Sequence, residues 1–409
     1  MTIPTTLPAL PQRTARNADL RDIVRILEGQ QRQTIDLVAS ASKLIARGGN
    51  LDVTGLEPIL SESGVLDPNG SYAFTSTAEG QIGSTFGIPV KYTRLLRSTN
   101  VDLFDQNVNS WAQHESNADK KVLVRLLWGL DPNSPEQVGV ARAVLSDKYG
   151  VGTYDHLPIL LAALDGIREG GLAADQVQIT GDLTEDRLHV VVDAPEIQGY
   201  GWKLLEGYRS PYANGYGTAH GGLDAENLPI ISAGILIQNS ETGLGAAKIT
   251  PRLKVRACSN GLQVTQDALR QVHVGARLAE GEVQWSDETR AAANQLAKKQ
   301  AADAVKSFLN ATYVQKVIDR LEADSETPVK DVQQTLEVVA KEQGYTEAEQ
   351  SSILNFFIDG GQRTAGGVLQ AVTAAVQQIE DADRAFDIEA GAIDAMKIAA
   401  RVAREAVAV

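Results

Sequence analysis

The stretch Lys248-Ile249-Thr250-Pro251-Arg252-Leu253-Lys254-Val255-Arg256 alternates between polar and apolar residues over its whole length. Successive side chains of a β-strand point to opposite faces, so the alternation predicts a strand with one face on a hydrophobic core. The core face carries Ile249, Pro251, Leu253 and Val255. The opposite face carries Thr250 and four cations, namely Lys248, Arg252, Lys254 and Arg256.

These cations stand out because the protein as a whole is acidic. Its 409 residues include 38 Lys and Arg against 52 Asp and Glu, a formal net charge of −14. An acidic protein repels the phosphates of nucleic acids wherever basic residues are not concentrated, so a polyanion could bind only locally. The cationic face predicts such a place. The solvated face of a half-buried strand, or an edge strand protected by Lys and Arg, has the same pattern.

The basic strand forms the second arm of a predicted β-hairpin. Residues 231–238 and 246–257 are strand-like, and the turn Asn239-Ser-Glu-Thr-Gly243 separates them. A helix at residues 157–169 and strands at residues 177–180 and 187–193 precede the hairpin. An amphipathic helix containing Leu269, Val272 and Leu278 is predicted after it. We therefore expect an α+β fold with a central antiparallel sheet and flanking helices.

The regions on either side are assigned from periodicity and turn residues. Residues 1–16 are rich in Pro and Thr and are expected to be loose. Apolar residues recur at helical spacing over residues 17–46, within an N-terminal α/β region of residues 17–134 that closes on the turn-rich stretch 129–135. The central domain spans residues 135–284. Residues 285–409 are expected to form an all-helical C-terminal domain, with a helix start at Thr327-Pro328 and a capping box at Thr346 and Glu349.

A long Gly- and Tyr-rich segment lies between the strands at residues 199–222. A loop of this length without regular structure is uncommon in a compact domain and is usually functional or disordered. Aromatic side chains can stack on bases, and basic ones can neutralise phosphates. The candidates for these contacts are Lys203, Tyr208, Arg209, Tyr212 and Tyr216. An oligomer-contact arm or a disordered insertion would have the same composition.

Sequence motifs of nucleotide and zinc chemistry are missing. In Gly243-Leu-Gly-Ala-Ala-Lys248 no Ser or Thr follows the lysine, so the phosphate-loop pattern is incomplete. Five His without paired spacing and a single Cys do not make a zinc-site pattern. Asp147, Asp155 and Glu241 could bind a metal, but turn and helix-cap roles explain Asp147 and Asp155 better. We therefore predict a protein without cofactor, metal site or catalytic residues.

The sequence predicts a cytoplasmic protein. The lone Cys258 leaves no internal disulfide framework, which fits a reducing compartment. No apolar run is long enough to span a bilayer, and the N-terminus lacks the basic-then-apolar order of a signal peptide. We expect no membrane partner.

Short segments spread along the chain carry a family resemblance. In order they are Phe86-Gly-Ile-Pro-Val-Lys-Tyr92, Asn107-Val-Asn-Ser-Trp111, Arg142-Ala-Val-Leu-Ser-Asp-Lys-Tyr149, Asp155-His-Leu157, Asn239-Ser-Glu-Thr-Gly243, Cys258-Ser-Asn-Gly-Leu262 and Thr364-Ala-Gly-Gly-Val-Leu-Gln-Ala-Val-Thr373. Together they resemble the phage- and plasmid-encoded family called domain of unknown function 932. Gly150-Val-Gly152 and the long Gly- and Tyr-rich segment depart from the family pattern. The resemblance implies a mobile-element origin and a bacterial host cytoplasm, and it brings no activity or catalytic residues.

The leading hypothesis is a non-enzymatic DNA-binding protein of phage or plasmid origin that acts in single-strand annealing or recombination. The order of elements over residues 157–278 is similar to the core of RecT/Erf-type annealing proteins, which implies a homo-oligomer with single-stranded DNA in a basic groove. Ala-rich C-terminal helices and the free edge of a hairpin also predict self-association. A protein-interaction or host-inhibitory factor that binds a host protein is the first alternative, since acidic surfaces often engage basic partners. A metal-dependent enzyme acting on nucleic acid is the second.

Overall fold

The computed structural model describes residues 8–57, 59–61, 64–131, 137–149, 155–209, 229–256, 261–271, 281–282 and 287–406. The strands are β1 (Ala15–Asp19), β2 (Thr34–Ser40), β3 (Leu44–Arg47), β4 (Asn50–Val53), β5 (Ile59–Ser61), β6 (Gly64–Leu66), β7 (Gly70–Phe74), β8 (Lys121–Trp128), β9 (Gly139–Ser146), β10 (Gln178–Leu183), β11 (Leu188–Tyr200), β12 (Ile230–Asn239), β13 (Ala247–Val255), β14 (Gly261–Gln263), β15 (Leu269–Gln271) and β16 (Gly281–Glu282). The helices are α1 (Leu20–Gln33), α2 (Ser76–Thr85), α3 (Val90–Thr99), α4 (Val101–Gln113), α5 (His156–Glu169), α6 (Asp287–Phe308), α7 (Ala311–Ser325), α8 (Val332–Gln343), α9 (Glu347–Gly360), α10 (Ala365–Val376) and α11 (Ala382–Glu405). The α+β fold is confirmed.

The central sheet contains the predicted hairpin. Its strand order is β1-β10-β11-β12-β13-β14, β15 also pairs with β13, and the pairings are antiparallel. Strands β12 and β13 pair from Ile231 with Val255 to Gln238 with Lys248. Ile249, Leu253 and Val255 enter the core under helices α1, α5, α6 and α7, as the alternation of residues 248–256 predicts.

A second sheet has the order β16-β2-β8-β9-β7-β4-β3 and is antiparallel except where β7 pairs with β9. Strands β5 and β6 form a separate two-stranded pair.

The helix predicted over residues 17–46 is correct only where α1 forms. After Gln33 the apolar residues Ile35, Leu37 and Ala39 recur at every second position and enter the core of this sheet as β2. Their strand period therefore prevails over the weaker helical spacing.

The domain boundaries predicted from the sequence do not separate the residues of one sheet from those of the other. Strands β8 and β9 pair from Val122 with Ser146 to Trp128 with Gly139, so the turn-rich stretch 129–135 falls inside a hairpin. Strand β1 belongs to the central sheet, whereas β16 pairs with β2 in the second sheet. Each sheet thus takes an edge strand from the part of the chain that builds the other.

The expectation of a loose N-terminus is wrong for residues 8–16. The backbone N–H of Leu10 donates to Leu130 O at 3.0 Å, and that of Leu130 donates to Pro8 O at 2.7 Å. These hydrogen bonds, together with the pairing of β1, fix this stretch to both sheets. Residues 1–7 lie outside the described residues.

The amphipathic helix predicted after Gly261 is also wrong over residues 261–271. Two short strands, β14 and β15, occupy this stretch, and both pair with β13. A free strand edge presents unpaired N–H and C=O groups, and β14 and β15 satisfy them along β13. Leu269 lies in β15 and packs on the main core. Val272 and Leu278 lie outside the described residues.

Helices α6 to α11 form the all-helical C-terminal region, and the capping box at its α9 start is confirmed. Thr346 Oγ1 accepts from the backbone N of Glu349 at 3.3 Å, and Glu349 Oε2 accepts from that of Thr346 at 2.8 Å. The start predicted at Thr327-Pro328 is wrong. Helix α8 begins after the N-cap Asp331, while Pro328 forms an isolated bridge with Thr364. None of the helices in the described part of the chain combines the length and apolar composition needed to cross a membrane.

Glu349 offers a pH test of this cap. Its carboxylate accepts two hydrogen bonds from Arg384, both 2.7 Å long. These bonds, more than the bond from Thr346, lower the pKa of Glu349 from 4.5 to about 2. A lowered pKa means that the ionised carboxylate stabilises the fold, so its contribution is complete above pH 4.5 and disappears as the pH falls through about 2. Glu349→Gln should lower Tm by about 2 °C at pH 7 and weaken the pH dependence of Tm between pH 5 and 2.

Thermal melts followed by circular dichroism would measure both effects. Glu347→Gln is the matched control, because Glu347 lies in the same helical turn with an exposed side chain. Equal behaviour of the two variants across this pH range would contradict the assignment.

Candidate functional site

The predicted cationic face of β13 lies under the start of helix α11. Val191 of β11 and Leu236 of β12 pack on Phe386 of this helix. Acidic residues of α11 also pair with basic residues of the sheet: Asp383 with His189, Asp387 with Arg187, and Glu389 with Arg252. The expectation of an open strand face is therefore wrong for its middle part.

Arg252 is the clearest correction among the candidate residues, since it is only 9% exposed. Its Nε and Nη2 donate to the Glu389 carboxylate at 2.8 and 3.1 Å, and its Nη1 lies 3.5 Å from Asp193 Oδ1. Burial alone would lower the pKa of this guanidinium, but Glu389 and Asp193 outweigh it and raise the pKa. The guanidinium also lies against the backbone of Gly261, where a Cβ would have no room. Arg252 cannot bind a phosphate in this arrangement without losing Glu389.

The other cations of β13 differ in exposure. Lys254 Nζ donates to Asp193 Oδ2 at 2.8 Å and keeps 29% of its side chain exposed. Lys248 is half-buried and pairs with Gln238 in the β12 register. Arg256 is exposed just beyond the end of β13, where its backbone N donates to Ile230 O at 3.0 Å. Arg256 is thus the most accessible of the four.

The candidates within residues 201–209 differ in exposure. Tyr208 is 2% exposed and belongs to the main core, so the expectation that it stacks on a base is wrong. Lys203 and Arg209 are exposed, and Lys203 Nζ lies 3.0 Å from Glu326 Oε2. Tyr212 and Tyr216 lie outside the described residues.

Two aromatic residues beside these cations were not among the predicted contacts. Tyr200, at the end of β11, is 56% exposed and Trp202 is 51% exposed. Tyr200 pairs with Ile230 of β12, and Arg256 follows β13 on the other side of Ile230. Two strand spacings put these backbones about 10 Å apart at one end of the sheet. We call Tyr200, Trp202, Lys203 and Arg256 the sheet-end surface. The guanidinium of Arg209 lies instead against Gly361 at the end of α9.

A buried charge cluster joins the two sheets. Arg125 of β8 is 1% exposed. Its Nε and Nη2 donate to the Asp36 carboxylate at 2.8 and 3.1 Å, and its Nη2 also donates to Asp155 Oδ1 at 2.6 Å. Its Nη1 lies 3.9 Å from Glu241 Oε2. We call Arg125, Asp36, Asp155, Glu241 and Arg142 the inter-sheet cluster.

The turn between β12 and β13 positions Glu241 in this cluster. Ser240 Oγ accepts two backbone N–H groups of the turn, at 3.1 and 3.3 Å. Gly243 has φ +81°, and a Cβ there would lie 2.7 Å from Leu145 of the second sheet, so glycine suits both the turn and the close approach. Glu241 then accepts from Arg142 at 2.7 Å and from the backbone N of His156 at 2.6 Å. The start of helix α5 is favourable for an anion because of the helix dipole.

Burial and neighbouring charges shift the pKa values of the inter-sheet cluster in opposite directions. Burial raises the pKa of Asp36, and Arg125 offsets only part of this effect. Burial acts in the same sense on Glu241, but His156, Arg142 and Arg125 outweigh it and lower the pKa. The pKa of Arg125 is raised because Asp155, Asp36 and Glu241 outweigh the effect of its burial. The cluster therefore keeps Arg125 and Glu241 charged inside the protein.

The same geometry bears on the alternative of a carboxylate metal site. Asp155 and Glu241 do come together, but the guanidinium of Arg125 provides the positive charge between them. Asp147 instead interacts with its neighbour Ser146 at 3.4 Å. Over the ranges that the structure describes, no group of three His, Cys, Asp or Glu residues is arranged to hold a metal ion. The cluster has the chemistry of a structural contact between sheets.

Arg125, Arg142 and Asp36 were not predicted as site residues, although one signal was available. Arg125 interrupts the apolar run Val122-Leu-Val-Arg-Leu-Leu-Trp128. A charged side chain in a buried strand needs an ionic partner, so this arginine indicates buried carboxylates elsewhere in the chain. Spacing alone does not identify them, because they come from distant segments.

Several segments that carry the family resemblance have structural roles in this arrangement. Arg142, Asp155 and Glu241 come from three of them and meet in the inter-sheet cluster. In a fourth, the side-chain amide of Asn109 accepts from Ala46 N at 2.7 Å and donates to Ala46 O at 2.8 Å, which covers the edge of β3. These contacts explain the residue types without invoking catalysis.

No protein-family model matches the chain, and no curated protein or solved structure shows significant similarity to it. The resemblances to the domain of unknown function 932 family and to RecT/Erf-type annealing proteins therefore stay predictions.

Replacing Arg125 tests the weight of the inter-sheet cluster. Arg125→Met leaves three carboxylates near each other in a buried place, so we expect a loss of about 3–5 kcal/mol in the free energy of unfolding. Arg32→Met is the matched control, because the Arg32 side chain is 77% exposed. Its ion pair with Glu28, at 3.6 Å, lies on the surface. The control should change stability by about 0.5 kcal/mol or less.

Denaturant unfolding followed by circular dichroism gives both values. A loss below about 1 kcal/mol for Arg125→Met would mean that the cluster is incidental to stability.

Proposed function

We propose that the protein binds single-stranded DNA through the sheet-end surface, as a non-enzymatic factor of phage or plasmid recombination or replication. The observation that carries the proposal is the pair of aromatic side chains Tyr200 and Trp202, each more than half exposed, beside the exposed cations Lys203 and Arg256. Exposed aromatic residues next to cations are the usual contacts of proteins that bind single strands without strong sequence preference.

The energetics of this surface suit a flexible polyanion. Stacking of a base on an aromatic side chain is worth about 1–3 kcal/mol. The pair between Lys203 and Glu326 is 53% exposed on both sides, and such solvent-screened surface pairs contribute little to stability. Lys203 can therefore exchange a carboxylate for a phosphate at little cost. The acidity of the rest of the chain supports binding at this place alone.

After the Gly- and Tyr-rich segment the chain returns to this surface at Pro229. Residues 210–228, which lie outside the described residues, begin after Arg209 and end before Pro229. Pro229 O accepts from Gly201 N at 3.0 Å, next to Tyr200 and Trp202. Tyr212 and Tyr216 belong to this undescribed stretch and remain candidates for stacking.

Fluorescence anisotropy of a labelled oligothymidine tests the proposal. Trp202→Ala should weaken binding about tenfold, since one stacking contact is lost. Arg256→Glu should weaken it further and reduce the slope of log affinity against log salt by about 0.7, the value for one phosphate on a single strand.

Trp111→Ala and Arg32→Glu are the controls, because both side chains are exposed and belong to other elements, α4 and α1. These controls should leave the affinity unchanged. No binding by the wild-type protein at low salt, or equal losses in the controls, would rule out the proposed function.

A protein-contact role is the second candidate, and exposed apolar side chains on α3 favour it. Leu95 is 56% and Tyr92 is 41% exposed. Such side chains often mark a contact with another copy or another protein. If this face joins two copies, Leu95→Arg should reduce the mass measured by light scattering at micromolar concentration. A monomeric wild-type protein would remove self-association from the proposal.

A further inference from the structure

An open groove of about 290 Å³ lies on the central sheet beside α11. Residues of β1, β10, β11 and β13 line it on the sheet side, and residues of α10 and α11 line it on the helical side. Ligand sites have volumes of about 300–1,000 Å³ and combine apolar walls with a few polar groups. The groove is at the lower end of this range, so it suits one small ring system without any movement of the helices.

The lining of the groove is apolar on one side and balanced in charge. Val191, Val376 and Phe386 provide apolar surface. The charged lining residues are three cations and three carboxylates, namely Arg16, Arg252, Lys254, Asp182, Asp193 and Glu389. A balanced lining attracts a bare anion only weakly, because each cation has a carboxylate beside it. It suits a neutral ring whose edge carries both donors and acceptors.

Two of the carboxylates can accept further hydrogen bonds. Asp182 Oδ1 accepts from the backbone N of Asn17 at 2.6 Å, and its Oδ2 lies 3.4 Å from Arg16 Nη1. Asp193 Oδ2 accepts from Lys254 Nζ at 2.8 Å, and its Oδ1 lies 3.5 Å from Arg252 Nη1. An ionised carboxylate has about four acceptor sites. Both carboxylates are only 7% exposed, so a donor on a ligand in the groove would meet them away from bulk water.

The backbone at the edge of the groove has an uncommon conformation. Among the residues that the structure describes, Asn17 is the one non-glycine with a positive φ, +48°. The pairing of β1 with β10 is irregular at the same place, between Ala15 and Ala18. Strained residues and bulges occur often beside binding sites. Here they direct the N–H of Asn17 to Asp182 and leave Arg16 in the wall of the groove.

The groove adjoins the sheet-end surface. Opposite residues of antiparallel strands share a face, as do residues two apart on one strand. Ser232 pairs with Lys254, and Ile230 pairs with Tyr200, so Lys254 in the groove wall and Tyr200 are on the same face. Arg256 follows Lys254 by two residues, a distance of about 7 Å along the strand. A nucleotide chain held by Tyr200 and Arg256 can therefore place a neighbouring base in the groove.

We infer that the groove holds one base of the bound strand and prefers a base with an exocyclic amino group. This inference rests on the proposed function. The amino groups of cytosine, adenine and guanine are donors, and Asp accepts from such groups. Thymine carries an oxygen where cytosine carries its amino group, so this acceptor would face the carboxylates of Asp182 and Asp193. The groove thus adds base preference to the sequence-tolerant stacking at the sheet-end surface.

Fluorescence anisotropy with labelled oligodeoxycytidine and oligothymidine of equal length tests the preference. The wild-type protein should bind oligodeoxycytidine about tenfold more tightly. Thr180→Trp should abolish the difference, because Thr180 is exposed on β10 and its replacement would fill the groove. Large aromatic residues are well tolerated on strands. Thr99→Trp, at an exposed position of α3, is the matched control and should keep the preference.

Asp182→Asn provides a second variant if Thr180→Trp does not fold. Its amide oxygen can still accept from Asn17 N, but the carboxylate charge that attracts an amino group is lost. The preference for oligodeoxycytidine should therefore decrease. Asp175→Asn is the matched control, since Asp175 is exposed and lies just before β10.

The outcomes separate the two proposals. If the wild-type protein binds both oligonucleotides equally and Trp202→Ala weakens both, the inference is wrong and the proposed function stands. A preference that survives Thr180→Trp would place base recognition elsewhere and also overturn the inference. If cytidine monophosphate competes as well as oligodeoxycytidine at equal nucleotide concentration, the ligand is a free nucleotide and the strand is overturned as its source. If the wild-type protein binds no DNA, both proposals are wrong.

Discussion

The fold depends on one buried guanidinium. Moving the charge of Arg125 out of water costs several kcal/mol, and only the carboxylates around it can offset that cost. They come from three places: Asp36 on the neighbouring strand, Asp155 at the start of α5, and Glu241 on the hairpin of the other sheet. All of them are present together only when both sheets and the helix have assembled. The cluster therefore favours complete assembly over partial structures and fixes the hairpin turn against the second sheet.

Local patterns in the sequence predicted the elements they encode. Strict alternation predicted β13 and its core face, and the turn Asn239-Ser-Glu-Thr-Gly243 predicted the hairpin. The capping box at Thr346 was confirmed because both of its hydrogen bonds are made within four residues. Residues 34–46 were mispredicted because Leu37, Val38, Ala41, Leu44 and Ile45 fit a helical repeat when read with α1. Residues 34–40 form a strand because they pair with strands that are distant in the sequence.

The candidate site was harder to predict for the same reason. Alternation shows which side chains of β13 face away from the core, but not that α11, more than 130 residues later, covers that face. Tyr208 looked like a loop aromatic because its glycine-rich surroundings suggest exposure, whereas its ring lies against Gly360. The surroundings of Tyr200 likewise depend on a distant helix, because Gln315 of α7 bonds its backbone while its side chain stays 56% exposed. Side-chain chemistry was readable from the sequence, and accessibility was not.

The exchange of edge strands between the two sheets has a consequence for synthesis on the ribosome. Strand β1 emerges first but must wait for β10, and the second sheet lacks its last edge strand until β16 has been made. Neither sheet can close while the nascent chain is short, so unpaired strand edges persist through most of translation. Pairings over such long separations also slow folding, because loop closure precedes any stabilising contact. The growing chain therefore exposes strand edges that can pair with other chains before its own partners have been made.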